Sequence, residues 1–365
     1  MPARNSNPVV KLAAAELPMP LPDALAEPSV RLLRGGQIAC SLAEPVTAHR
    51  RWLLATARAF RHEPYLILAE RDERVVGSLP LVFVATRLFG RFLVSLPFVN
   101  SAGVTACDAE TARLLVDRAV ALADELNVRY LELRHEAPTA VEHPALTATR
   151  TDKVHMRLAL PATADALWTS FKPKVRNQIR KGDSAGFSVA WGRVECLDDF
   201  YRVFSRNMRD LGTPVFGKRL FREILAQFDR EAELCVVRHE GEPAAAALLV
   251  HGPRYTEVPS ASTLRKYNSL NANMWMYWQL LQRSIQRGAK AFDFGRSTVD
   301  GNTFRFKKQW GAAPEPAVWQ YYVRHGQIDA VRPDNPKFRL MIAAWQKLPV
   351  WFTRLIGPPI VRGIP

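Results

Sequence analysis

The sequence predicts a mixed α/β protein in which one domain plan is laid down twice. The order helix, hairpin, strand, helix, strand occurs in the first half and again in the second. Residues 66–81 lie beside 234–249 without a gap, and YLEL (130–133) lies beside AFDF (291–294). The offset, about 165 residues, is too long for a solenoid repeat and fits a duplicated domain. In addition, 48% of the 365 residues are hydrophobic, enough to bury the cores of two ordinary domains.

Residues 1–40 read as a flexible tail. PVTAHRRWLLATARAFRH (45–62) places Leu53, Ala57 and Phe60 at helical spacing. Residues 65–87 read as a hairpin around a charged turn. RFLVSLPFVNSAGV (91–104) is a strand that gives way to a loop at Pro97. Asp108 opens a helix over 108–127 with acid in its first turn. VRYLELR (128–134) is the strand after it. The first domain is assigned to 41–160. The second, 161–328, opens on LWTSFKPKVRNQIRKGDSAGFSV and two helices around a Gly-Thr-Pro loop. Then come strand, turn and strand (232–252), a strand breaking at its proline (254–264), and a helix (271–288). Asn271 or Asn273 can cap that helix, and Gly288 suits its end. Its inward face would be Met274, Trp278, Leu281 and Ile285. AKAFDFG (289–295) is the closing strand. Residues 329–365 form a basic, amphipathic C-terminal segment.

A net charge of +15 draws the chain toward anions: nucleic acid, an acidic leaflet or phosphorylated ligands. The four cysteines are scattered, so neither a zinc site nor a disulfide framework is expected, and no metal is expected either. Lys11, Glu16 and several prolines interrupt the apolar start, which argues against a signal peptide. No stretch approaches the ~18–20 apolar residues that span a bilayer. The expectation is a cytoplasmic protein, peripheral on the inner face of the membrane.

The chemistry-bearing stretch is FDFGRSTVDGNTFRFKKQWG (292–311), most of which has no counterpart in the first copy. The repeat order resembles the GNAT N-acyltransferase fold, in which a central strand splays from its neighbour and a helix N-terminus faces an anion. LRKYNSLNAN (264–273) stands where that fold carries a glycine-rich acyl-CoA loop. With KVRNQIRKG before the second copy, DFGRS and FRFKKQWG after it, and LPF with the following 100–103 loop, the chain resembles the Fem-type (FemAB-related, CelD/BioF-like) acyltransferases. It is most similar to those encoded with exosortase and exopolysaccharide systems.

The resemblance implies acyl or aminoacyl transfer to an amine, and places a functional Phe-Lys pair on Phe306 and Lys307. A lysine there could stabilise negative charge developing on the reacting oxygen; on a strand, Lys308 would face the other way. Asp293, at a strand end, is a candidate to orient or deprotonate the amine, or else pairs with Arg296 or caps the loop. Glu257, on the splayed strand, is a second candidate base. Arg296 suits a phosphate or carboxylate, or else pairs with Asp293 or Asp300. Lys172, Arg176 and Arg180 share a helix face that could grip phosphates, or is simply solvated. Trp310 could line a substrate pocket, and Asn100 helps to form the cleft. The donor is acyl-CoA or, alternatively, aminoacyl-tRNA. The acceptor is a saccharide or peptide cell-envelope precursor, lipid-linked in one version. Residues 337–360, with Leu340, Ala343, Ala344 and Trp345 toward lipid, are a candidate peripheral membrane contact. The competing reading is a non-catalytic protein that binds nucleic acid or membrane through its basic charge.

Overall fold

The computed structural model describes residues 27–40, 48–87, 89–100, 102–135, 140–326, 328 and 339–364. The first copy runs β1 (Ser29–Arg34), α1 (Gly36–Cys40), α2 (Ala48–Phe60), β2 (Glu63–Arg71), β3 (Arg74–Thr86), β4 (Gly90–Val94), β5 (Thr105–Ala106), α3 (Ala109–Glu125), β6 (Tyr130–His135) and β7 (Ala148–Ala159). The second runs α4 (Ala164–Ser170), α5 (Pro173–Ser184), β8 (Ser188–Gly192), α6 (Leu197–Leu211), α7 (Lys218–Phe228), β9 (Ala232–His239), β10 (Glu242–His251) and β11 (Tyr255–Thr263). It continues with α8 (Ala272–Gln286), β12 (Ala291–Thr298), α9 (Asn302–Gln309) and β13 (Ala313–Val323). Helices α10 (Arg339–Lys347) and α11 (Val350–Val361) end the described chain. Of the stretch expected to be a flexible tail, residues 29–40 are ordered, because β1 pairs antiparallel with β2; residues 1–26 lie outside the described part.

The described strands form one mixed sheet, ordered β1-β2-β3-β4-β6-β13-β7-β12-β11-β10-β9-β8, with β5 beside β3. Read inward from either edge, the two halves match, and each copy's last strand sits in the other half. β7 pairs with β12 of the second copy, and β13 pairs with β6 of the first. A β7–β13 ladder joins them at the centre. The copies therefore cannot separate without breaking strand ladders.

The strands alternate as a two-faced sheet requires. In β10, Ala246, Leu248 and Val250 join the core under α6 and α7, while Ala245, Ala247 and Leu249 join the core under α8. The first core is shared: Leu66, Val82 and Phe92 of the first copy belong to it as well. Trp52 of α2 meets Phe228 of α7 with ring centroids 4.9 Å apart, and Arg51 pairs with Glu231. α3 covers the opposite face of the first half through Leu115, Val116, Ala119 and Leu122. Asp108 caps α3 as read from the sequence, its side chain accepting from Thr111 N. α8 differs: it starts after Asn271 in a left-handed conformation with no side-chain cap, and Asn273 Oδ1 instead accepts from Thr263 Oγ1.

Candidate functional site

Each half contains one parallel strand pair, and each pair is short. In the first copy Phe92–Val94 pairs with Tyr130–Glu132; in the second Tyr255–Glu257 pairs with Ala291–Asp293. Beyond those residues the strands part. The second-copy cause is visible in the sequence. Pro259 has no N–H for the ladder, so β11 bulges there against β10 instead of breaking, its register shifting opposite Leu248 and Val250.

The two openings differ. The first is filled by the chain that follows β4. Ser95 N donates to Glu132 O (2.9 Å), Ala102 N donates to Arg134 O (2.9 Å), and Ser95 Oγ accepts from Arg134 N (2.8 Å). Arg134 pairs with Glu132 at 2.5 Å and donates to Leu96 O and Val99 O. Leu96 and Phe98 are held left-handed, at φ 52° and 71°. Such backbone costs of order 1–3 kcal/mol per residue. It is offset by full burial of Leu96 and by Phe98 packing on Phe60 and Phe216 at 4.5 and 5.3 Å.

The second opening keeps a small cleft of ≈ 40 Å³, lined by His49, Trp52, Val99, Asn100, Tyr255, Glu257 and Asp293. Of the residues singled out in the sequence, Asn100, Glu257 and Asp293 meet here. The Asp293 carboxylate is committed on both oxygens. Oδ1 accepts from Gly295 N (2.6 Å) and Oδ2 from Arg157 Nε (3.1 Å). Its partner is thus Arg157, not Arg296, and it also caps the loop. Arg157 comes from the exchanged strand β7, pairs with Glu315 at 2.7 Å, and lies over the Tyr255 ring at 4.6 Å. Gly295 adopts φ +77°, which favours glycine, and a Cβ there would sit 3.2 Å from Asn100 Nδ2, close enough to push on that side chain.

Lys307 lies behind β12. The FRFKK stretch is helical, not extended, and its spacing turns Phe304 and Lys307 inward while Lys308 is exposed. Lys307 Nζ donates to Gly295 O (3.0 Å) and Arg296 O (2.8 Å), fastening the backbone of the kink. Burial pulls its pKa down to about 8; Asp293 opposes and Arg296 adds to the fall. Neither Lys307 nor Phe306 lines the cleft, and Phe306 packs against Tyr277 at 5.0 Å. Trp310, expected at a pocket, is core: it is 1% exposed and sits 5.4 Å from Phe171 and 6.2 Å from Tyr277. Arg296 stacks on Trp319 (4.4 Å), as Arg134 does (4.5 Å). Burial, then the Arg134 charge, lowers its pKa to about 9, which leaves it cationic at neutral pH. Lys172 and Arg180 are exposed and Arg176 is half-buried; Arg180 rests over Trp168 at 5.5 Å, and none of the three lines the cleft.

A larger chamber of ≈ 260 Å³ adjoins the cleft and shares Trp52 and Val99 with it. Where an acyl-CoA loop would be glycine-rich, residues 265–270 form a tight 3-10 turn. Tyr267 N and Asn271 N bond back within it, Arg265 donates to Asp210 O, and Lys266 lies over Tyr267. The uncapped first turn of α8 leaves N–H groups that suit a donor phosphate, but the turn before it is not the usual cradle.

Residues 169–308 match the family model described as acetyltransferase (GNAT) domain. This part of the chain is a GNAT acetyltransferase domain. FemX is 14% identical, with a TM-score of 0.58 over 83% of this chain and 94% of its own. L-PGS from Bacillus licheniformis is 13% identical, at 0.51 over 77% and 86%. A tandem GNAT protein from the clavulanic acid biosynthesis pathway is 13% identical, at 0.51 over 82% and 100%. No curated protein matches. At such identities the solved structures speak to fold, and that fold is a tandem GNAT arrangement covering most of the chain. The chain is accordingly an acyltransferase, with FemX and tandem GNAT proteins among its structural neighbours.

His49, Trp52, Tyr255 and Arg157 were not read as site residues from the sequence. His49 stands in the first turn of an ordinary amphipathic helix, and Arg157 in a strand whose exchange has no local signature.

Proposed function

We propose that the chain transfers an acyl or aminoacyl group to an amino group of a cell-envelope or exopolysaccharide precursor, as Fem-type enzymes do, with the chemistry in the second copy. The observation that carries this reading is the convergence of Glu257, Asp293 and Asn100 where β11 and β12 part. Glu257 lines the cleft at the last β11–β12 pair and is assigned as the base, and Asp293, held by Arg157 and Gly295, is assigned as a positioning residue. The amine nitrogen attacks the donor carbonyl carbon. The C–N bond forms, the C–S bond of a thioester or C–O bond of an ester breaks, and the amine's proton passes through Glu257 to the leaving group. The donor is acyl-CoA or aminoacyl-tRNA. The exposed Lys172, which precedes α5, and Lys174, Arg180 and Lys181 on it suit the phosphates of either donor, or of a lipid-pyrophosphate-linked saccharide.

Radiolabelled acetyl-CoA and charged tRNA, offered in turn, should separate the donors by which is retained and discharged. Glu257→Gln should lower kcat/KM at least a hundredfold while the unfolding midpoint stays put. Full turnover in that variant would end the assignment of Glu257.

The same reading includes contact with the membrane surface. Among the described residues no helix is long and apolar enough to cross a bilayer. The C-terminal stretch forms α10 and α11, docked on α6, and Trp345, expected toward lipid, is buried. Leu340, Met341, Trp351 and Leu355 remain 60–85% exposed, beside the exposed Lys347. Trp351→Glu with Leu355→Glu should reduce cosedimentation with anionic vesicles severalfold; unchanged cosedimentation would exclude this face.

A further inference from the structure

We propose that the chamber beside the cleft receives a hydrocarbon chain, so that one of the two substrates carries roughly eight carbons of alkyl rather than a bare acetyl or sugar. This rests on the acyl-transfer reading above and names what that site accepts. The chamber lies on the α6–α7 side of β11, where Ser260 and Ser262 face it after the strand has left β12. Its walls are rings and branched chains: Trp52, Phe98, Phe204, Phe221, Leu220 and Leu248. Among the described residues no charged side chain lines it. Its polar side chains are few: Thr56, whose Oγ1 donates to Trp52 O (2.8 Å), Asn207, whose Nδ2 donates to Ser262 Oγ (3.2 Å) within the lining, and Ser260. A saccharide carries more hydroxyls than these few side chains can pair, at about 1–3 kcal/mol for each left over, whereas an alkyl chain asks for nothing that the walls lack.

Size and position agree. The volume of ≈ 260 Å³ holds about eight or nine groups of ~30 Å³. Trp52 and Val99 are common to chamber and cleft, so a chain seated here begins beside Glu257. The outer end includes Leu211, 55% exposed, next to the Gly212–Ile342 contact with α10. A chain on a lipid-like substrate thus has a way in from the face that carries the exposed apolar side chains.

The chain could arrive on the donor's acyl group or on the acceptor, and the test has one arm for each. Acyl-CoA donors from acetyl to dodecanoyl are paired with one short amine, and alkylamines from ethyl to dodecyl are paired with acetyl-CoA. Calorimetric binding of n-alkanols, butanol to dodecanol, reads the chamber without turnover. Binding should tighten about fourfold per methylene up to roughly eight carbons and then level off. Ser260→Phe should fill the space and flatten that dependence, while Leu220→Ala should move the plateau to longer chains; thermal unfolding verifies that both fold. A rise of kcat/KM with length in one arm identifies the source. Alkanol binding without chain-length dependence, or dependence unchanged in both variants, overturns the proposal. Transfer of short groups only, indifferent to length, also overturns it while leaving the acyl-transfer reading intact. Alkanol binding with the expected dependence, but no transfer from acyl-CoA or from charged tRNA, supports the chamber and refutes the reading beneath it.

Discussion

Replacing Lys307 with methionine should remove a pH dependence that the wild type shows between about pH 8 and 10.5. The Lys307 side chain is 8% exposed, and burial lowers its pKa from 10.5 to about 8. At ~1.4 kcal/mol per pH unit, that gap corresponds to about 3 kcal/mol. Below pH 8 both folded and unfolded chains hold the proton, and the folded state bears the full penalty of a buried charge. Between pH 8 and 10.5 the unfolded chain binds more protons than the folded one, so stability rises with pH. Methionine carries no proton and leaves Gly295 O and Arg296 O without their donor, at about 1–3 kcal/mol each. The stability difference, wild type minus Lys307→Met, should therefore grow by about 3 kcal/mol from pH 7.5 to 10.5. Urea unfolding of both proteins across that range measures it. A difference that stays constant would show that Lys307 is not buried and charged on the β12 kink.

Other perturbations test the same site. Arg157→Met strips a buried carboxylate of its partner and should cost about 3–5 kcal/mol, read as a lower urea midpoint, together with a drop in transfer rate; a neutral effect would mean that Asp293 is held otherwise. Gly295→Ala forces a side chain into φ +77° against Asn100. It should cost about 1–3 kcal/mol and at least tenfold in kcat/KM, and unchanged kinetics would show that the Asn100 contact is irrelevant to turnover.

Much of the fold was legible because its signals are local. Hairpins 63–86 and 232–251 have near-continuous apolar runs around charged turns, and α3 has its Asp108 cap. The strand exchange was not legible: VHMRLAL makes a good strand wherever it pairs, and no residue in it names β12 as its neighbour. Asn100, Glu257 and Asp293 could be picked because each sits where a strand ends or parts. Arg157 could not, since it lies 136 residues from Asp293 and acts only through the exchanged strand. The FRFKK stretch misled by its alternation of aromatic and basic residues. Phe304, Lys307 and Trp310 recur every third residue, and the chain took that helical option to bury them.

Comparing the copies gives a physical reason for proposing the site in only one of them. Strand register sets Val94 against Glu257, Glu132 against Asp293, and Tyr321 against Arg157. The first opening therefore has an apolar residue where the base would stand, and its carboxylate is bound by Arg134 within the same strand. Arg134 also anchors the loop that fills that opening, and the loop delivers Val99 and Asn100 to the other copy's cleft. The first copy further supplies His49 and Trp52 from α2 and Arg157 from β7. One copy thus serves as a wall of the other's cleft. The exchanged strands hold that wall in register, so the cleft is a property of the pair and of neither half alone.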